Sequence, residues 1–547
     1  MRVLNRRIGL LFGLFLFLLV CAVGRATWLT TVKAADLKSR AVSQQVEDIR
    51  VPATRGAIVD RHGLDLAVSE EAVTVFANPF LIKNPAKVAT RLAPLLGMPE
   101  AEILPKISDS QKGFVYLKRK LQGLAGQKIE NLKIEGIGTM MEPKRTYPQA
   151  SLASQLIGTV GTDNYGLSGL EQLFDKRLHG TDGRRRVVRD ALGDPISIVD
   201  AKRAEPGKNV KLTLDATLQE RVEAVLADVG QTYRPAGSTA LVMDPRSGAI
   251  LALANWPRVD ANDISGAPPY ARQNRAVAAA YEPGSTFKAI TVGGALEEGL
   301  VTPDTPFSIP PQIQVADRTI KDAEQHGYET LTVSRILAQS SNIGAVKIGM
   351  RLGPTGFDKW VRAFGFGKPT NVDLPGESPG IVLHPKQYSG SSMGNLPIGQ
   401  GIAVTPIQMA QAYTAIASGG IMHRPYVVQG DRKPGKRVLS KSTARQVAKM
   451  LEGVLGPGGT ASEAAIPGYT LAGKTGTAQK PDPVNGGYSK YKYVASFIGF
   501  APADRPRLLV AVMVDEPQGA IYGGVVAAPA FQKILSFALP YLKIPPR

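Results

Sequence analysis

The strongest hydrophobic signal is Ile8–Gly24, seventeen residues reading IGLLFGLFLFLLVCAVG without a charge, preceded by Arg2, Arg6 and Arg7. As a helix rising 1.5 Å per residue it spans about 25 Å, the short end of a membrane crossing. Arg25 can snorkel and Trp28 can sit at the far interface, so residues 8–24 read as an anchor. The arginines make residues 1–7 a cytoplasmic tail, leaving the bulk of the chain on the far side of a cytoplasmic membrane crossed once. The rival reading is a cleaved signal peptide, because Ala22–Val23–Gly24 is a small-x-small pattern. Residues 25–50 are polar and mixed, as in a stalk.

From residue 51 the period shortens. "AIVD", "LAVS" and "VTVFA" alternate as short strands with turns at HG and NP, and segments near 85–95 and 121–133 carry helical spacing. Residues 51–205 are therefore expected to form a mixed, non-catalytic pedestal. A new pattern opens at "KNVKLTLDATLQERVEAVLADVG", a strand followed by an amphipathic helix with Asp215 at its N-cap. "STALVMDPRSGAILALAN" and "YVASFIGFAPADRPRLLVAVMVDEP" are both strand pairs around polar turns. Between them, 286–298, 331–352, 404–418 and 441–454 have helical spacing. Hairpins at both ends with helices between predict an α+β domain over 206–547, its antiparallel sheet closed by both ends of the segment and flanked by helices.

Composition narrows the chemistry. The net charge is +19, but no basic stripe with interleaved aromatics marks a nucleic-acid surface, although Arg184–Arg185–Arg186 is a small cluster. One cysteine, Cys21, sits inside the apolar run, and the five histidines (62, 179, 326, 384, 423) show no metal-ligand spacing. Disulfides, thiolate metal centres and a Cys–His nucleophile are excluded, and any hydroxyl nucleophile needs another base.

Ser-x-x-Lys occurs twice. In "GGYSKYKYVASF", Ser489 and Lys492 lead into a strand, where residues three apart face opposite sides. In "EPGSTFKAIT", Ser285 and Lys288 follow a Pro-Gly turn and open a helical pattern, so they share a face, with free backbone N–H groups near the serine. An N-cap serine with an exposed lysine would look the same. Two further triplets add weight: Ser340–Ser341–Asn342 inside a helical segment and Lys474–Thr475–Gly476–Thr477 in a short strand.

In that order the three motifs resemble the set shared by penicillin-binding proteins and class A β-lactamases, with Ser341 where the β-lactamase triplet has Asp. The whole chain resembles the class B, division-type penicillin-binding transpeptidases, the FtsI type. "RGAIVDRHGLDLA" and "GLSGLEQLFDKRLHG" (with Gly166, Gly169 and Glu171) are similar to that family's pedestal, a dimerisation-type domain. "IGQGIAVTPIQMAQAY" and "YGGVVAAPAF" are similar to its later landmarks.

The resemblance implies a peptidoglycan D,D-transpeptidase with a penicillin-binding, serine β-lactamase-like catalytic fold. Ser285 would be acylated by a D-alanyl-D-alanine stem peptide, or by a β-lactam. Lys288, neutral through burial and through a second cation at Lys474, would be the base. Ser340, hydrogen-bonded between Lys288 and Lys474, would relay the proton, and Asn342 would hold the substrate amide. Thr475 and Thr477, with Lys474, would bind the terminal carboxylate, Gly476 lying between them. No cofactor or metal is implied. Division proteins and a membrane glycan polymerase are the implied partners, with septal wall synthesis the setting. Elongation-type transpeptidase, D,D-carboxypeptidase, β-lactam sensor and non-enzymatic scaffold are the alternatives. A β-lactamase would need a deacylating Glu in a Glu-x-x-Leu-Asn context, and no such stretch occurs.

Overall fold

The structure is a computed structural model describing residues 2–33, 46–189 and 195–546 of the 547-residue chain. Met1 and residues 34–45 of the expected stalk lie outside the described residues. The chain divides into two compact units: the part up to Thr54 with Gly180–Gly207, and Arg55–His179 with the chain from Lys208 onward.

In the first unit, helix α1 (Arg2–Thr31) is, among the described residues, the one helix long and apolar enough to cross a membrane. Its 26-residue stretch Arg6–Thr31 reaches about 39 Å, so the helix itself extends beyond the seventeen uncharged residues 8–24. Helical geometry continues through Arg25 and Trp28 because neither breaks the backbone pattern. The same unit holds a three-stranded antiparallel sheet of Val46–Val51, Gly183–Arg189 and Pro195–Lys202, with Arg184–Arg186 on its central strand.

In the second unit, strand Asp65–Ala77 pairs with Val115–Leu121 and Ile137–Thr146, and helices Pro85–Leu96 and Glu100–Ile107 pack beside it. Val75, Leu92, Leu96, Ile103, Ile107 and Leu117 form a core of their own. Ile58, Leu66, Leu156 and Leu170 instead share a larger core with Leu214, Leu218 and Leu226. The reason for two of the pedestal motifs is a buried ionic cluster. Glu171, fully buried, takes Arg55 Nε on one carboxylate oxygen and Arg145 Nε on the other, each at 2.6 Å. Arg55 also reaches Asp175 at 2.6 Å, and Arg145 donates to the Gly56 carbonyl at 2.8 Å.

The catalytic part opens with α2 (Ala216–Tyr233), capped by Asp215, whose carboxylate accepts from Leu218 N at 3.1 Å. β1 (Gly237–Met243) and β2 (Ile250–Trp256) form the first hairpin, while β3 (Ala472–Pro481), β4 (Tyr488–Ala501) and β5 (Leu508–Asp515) come from the far end of the chain. The sheet is antiparallel in the order β2-β1-β5-β4-β3, so residues more than two hundred apart in sequence close it. β5 is buried along Leu508–Val514, which requires cover on both faces. Helices pack accordingly, among them α2 and the C-terminal helix Ala528–Tyr541, which touch each other and the sheet.

Between the hairpins lie α3 (Lys288–Glu297), α4 (Val333–Gln339) and α5 (Asn342–Ala363), the last kinked at Gly353. α3 is buried from Lys288 to Leu296, as an all-apolar helix should be. Its exception is the amine at its first residue. The continuous helix expected over 331–352 is two helices: the chain breaks between α4 and α5 because Ser340 adopts a left-handed conformation (φ 63°) and Ser341 caps α5.

Candidate active site

Ser285 belongs to a single 3-10 turn, Gly284–Phe287, which runs directly into α3. Three contacts fix that turn from outside. Gly284 N donates to Gly399 O at 3.1 Å, Tyr413 Oη donates to Thr286 O at 2.7 Å, and Thr286 Oγ1 ties back to Pro283 O at 2.7 Å. Ser285 is half-buried and faces a cleft of about 180 Å³ lined by Asn342, Gln400, Thr477 and the 319–321 segment among others. Among the described residues its hydroxyl makes no hydrogen bond, which leaves it open to a ligand.

The Lys288 amine is buried and points into protein. It donates to Ser340 O at 2.6 Å and Asn342 Oδ1 at 2.7 Å, with Ser340 Oγ at 3.2 Å. Burial lowers its pKa to about 7, and the Asp322 carboxylate acts in the opposite sense. In the neutral form, the two short bonds use both N–H groups and the lone pair is left for a hydroxyl. Such an amine can take a proton from a serine at neutral pH; an ordinary surface lysine cannot.

Lys474, on β3, is fully buried as well, and burial followed by repulsion from Lys288 drives its pKa far down. The expected influence therefore runs mainly the other way: burial rather than Lys474 accounts for the Lys288 shift. Nor does Lys474 bond to Ser340. Its Nζ lies 3.3 Å from both the carbonyl and the hydroxyl of Thr475, while Thr475 Oγ1 also meets Thr460 Oγ1 at 2.8 Å. Thr477 lines the cleft, and its hydroxyl accepts from Gly523 N at 3.0 Å.

β3 is an edge strand, with one row of backbone groups unpaired by the sheet. The Ser285 turn packs directly on it, and this contact explains Gly476. A Cβ there would stand 2.3 Å from Ser496 Oγ, 2.9 Å from Thr286 Cγ2 and 3.0 Å from Pro283 O. Gly284, at φ +54°, approaches from the other side, where a Cβ would lie 3.1 Å from Thr477 O. Only two glycines allow the serine turn and the strand to come this close.

The second Ser-x-x-Lys pair behaves as its strand setting predicts. Ser489 Oγ accepts from the backbone of Tyr491 and Lys492 at 3.2 and 3.1 Å, and Lys492 Nζ lies 3.3 Å from Glu516. One participant escaped the sequence reading altogether. Asp322 accepts from Ser341 Oγ at 2.7 Å and Ile343 N at 3.0 Å, and also from Asn342 N. It lies in "KDAEQHG", where no local spacing connects it to the triplet eighteen residues later.

A family model described as the penicillin-binding protein transpeptidase domain matches residues 238–536, and one described as the penicillin-binding protein dimerisation domain matches residues 50–212. The chain is 34% identical over 549 residues to the probable peptidoglycan D,D-transpeptidase PenA of Neisseria gonorrhoeae, covering 99% of this chain and 94% of that one. It is 34% identical to the peptidoglycan D,D-transpeptidase FtsI of Escherichia coli, covering 99% and 92%. The crystal structure of penicillin-binding protein 3 from Mycobacterium tuberculosis complexed with aztreonam superposes with a TM-score of 0.71 at 31% identity, covering 91% of this chain and 98% of that one.

Proposed function

The chain belongs to the penicillin-binding protein D,D-transpeptidases, and from that membership we propose the following division of labour among its side chains. The enzyme is a membrane-anchored, serine-type peptidoglycan D,D-transpeptidase acylated by β-lactams. Its donor is the D-alanyl-D-alanine end of a stem peptide. Ser285 Oγ attacks the penultimate D-alanine carbonyl carbon as its proton passes to neutral Lys288 Nζ. The carbon–nitrogen bond then breaks, Ser340 relays that proton to the leaving amine, and free D-alanine departs. The amine of a second stem peptide attacks the Ser285 ester, loses a proton through Lys288, and returns the hydroxyl to Ser285. The product is a new amide crosslink.

The backbone N–H of Ser285, with that of Thr477 across from it, is suited to hold the oxyanion, and one such donor is worth roughly 3–4 kcal/mol. Asn342 presents Nδ2 toward Lys321 O at 2.8 Å and keeps one amide hydrogen for substrate. Lys474, Thr475 and Thr477 form the polar strand that receives the terminal carboxylate. The observation that carries this reading is the buried Lys288 amine, depressed to about 7 and three residues from an unbonded serine hydroxyl.

The test is mass spectrometry of the protein after exposure to a labelled penicillin. A covalent adduct on Ser285, lost in Ser285→Ala, supports the assignment; an adduct at Ser489, or none, rejects it. We place the crosslinking at the division septum, with the N-terminus cytoplasmic, the catalytic part outside, and a membrane glycan polymerase and division proteins as partners. Support comes from the FtsI-named relative, though stage V sporulation protein D of Bacillus subtilis is also 34% identical over 98% of this chain. Depletion in cells should block septation while elongation continues, giving filaments under the microscope. Rounded cells would instead assign the enzyme to elongation.

A further inference from the structure

Asp322 sits between the Ser340–Asn342 junction and a histidine, and none of the three sequence motifs includes it. Its side chain is about 10% exposed. One carboxylate oxygen accepts the backbone N–H groups of Asn342 and Ile343, at the first turn of α5. The other accepts Ser341 Oγ at 2.7 Å and lies 3.1 Å from His326 Nε2. Its chain neighbour completes the grip: the Lys321 carbonyl accepts from Asn342 Nδ2. Since a carbonyl can only accept, the amide is oriented, and Asn342 must turn Oδ1 toward Lys288, where it lies 2.7 Å from the amine. Ser340, next to these residues, has a left-handed backbone, and its carbonyl lies 2.6 Å from Lys288 Nζ.

We propose that Asp322 is a positioning residue of the transpeptidase: it clamps the Ser340–Asn342 junction onto the Lys288 amine and sets a fixed negative charge behind it. The inference rests on Lys288 serving as the base. Ser341 caps α5 through a hydroxyl and carries no charge of its own, so Asp322 supplies the anion at this helix N-terminus.

The charged groups around Lys288 have opposing signs. Asp322 favours its cation, while Lys474 on β3 is the group whose own pKa falls through burial and repulsion from Lys288. Behind Asp322, His326 has Nδ1 2.7 Å from Gly327 O and 3.6 Å from Glu329, and these acceptors together with Asp322 raise its pKa. Lys321 extends beside Asp322 at the cleft wall. On α3 itself no other charge occurs before Glu297. Removing the Asp322 charge should thus make Lys288 easier to deprotonate, and removing His326, whose cation those acceptors favour, should make it harder.

The experiment is the second-order rate constant for acylation by a chromogenic β-lactam, measured against pH for the full chain, Asp322→Asn and His326→Gln. For Asp322→Asn the inflection of the profile is expected to move down by about one pH unit, the low end of the effect of a nearby opposite charge. Its limiting rate should fall at least tenfold as the junction loosens. His326→Gln keeps a donor to Asp322 and should shift the inflection upward by less. A structural role alone would lower the rate without moving either inflection. Unmoved inflections in both variants, or shifts of the same sign, overturn the proposal. If Asp322→Asn does not fold, His326→Gln decides alone, and an unmoved inflection overturns it. A wild-type protein that is not labelled at Ser285 would instead defeat the catalytic assignment on which this inference stands.

Discussion

Lys288→Ala is expected to slow acylation of Ser285 by at least ~10³-fold, within the range a positioned general base supplies. Binding of a ligand that cannot be cleaved should persist, because Lys288 is buried behind the serine and lines no part of the cleft wall. Stopped-flow acylation and equilibrium binding separate the two effects. In the unsubstituted enzyme the rate should climb with pH and level off above about 7, since only the neutral amine accepts the proton. The same shift has a stability counterpart. An unfolded lysine titrates near ~10.4, so between about 7 and that value the unfolded chain holds a proton that the folded chain lacks. The lysine's contribution to stability is therefore full above the upper value, declines as pH falls, and is least below about 7. Rapid acylation by Lys288→Ala with an unchanged pH profile would remove the amine from the base role.

Glu171→Gln should be the most damaging substitution outside the catalytic part. It leaves Arg55 and Arg145 buried, each with 1% of its side chain exposed, and stripped of the carboxylate that both share. Breaking a buried ion pair from one side costs about 3–5 kcal/mol. Over a unit of this size the unfolding temperature should then drop by about 3–5 °C. Calorimetry reads the result directly. An unchanged transition would mean that water reaches the cluster and screens it. Because Glu171 touches none of the groups around Lys288, protein that remains folded should still acylate at the normal rate.

Much of the site was legible because its first pair is local. Ser285 and Lys288 are three residues apart on one turn and need only a helix to face each other, and the Pro-Gly turn with the apolar spacing of Ala289, Val292 and Leu296 announced that helix. The identical spacing at Ser489–Lys492 was dismissed for an equally local reason, the strand that follows, and there the two side chains do go separate ways. The terminal hairpins were visible as apolar runs around polar turns. Their joining into one sheet followed from the need to cover both, and β1 does pair with β5.

Other features depended on contacts that sequence spacing does not encode. Ser340 looked like a helix residue because the letters on either side of it have helical spacing; the break there is imposed by its left-handed backbone and by Asp322 gripping the start of α5. The order of motifs suggests a Lys474–Ser340 bond, yet the buried amine lies against the carbonyl and hydroxyl of Thr475 instead. The apolar helix runs on past residues 8–24 because a helix continues through arginine and tryptophan without interruption.

By itself, then, the sequence determined the inventory and the local geometry: an apolar anchor, two hairpins, a serine and a lysine on one helical turn, and glycine where strand meets turn. Only the tertiary structure decided the state of the amine. A lysine becomes a base at neutral pH when α3, the Ser340 junction and β3 close around it and exclude water, and that desolvation is a property of the packed assembly that no residue carries alone.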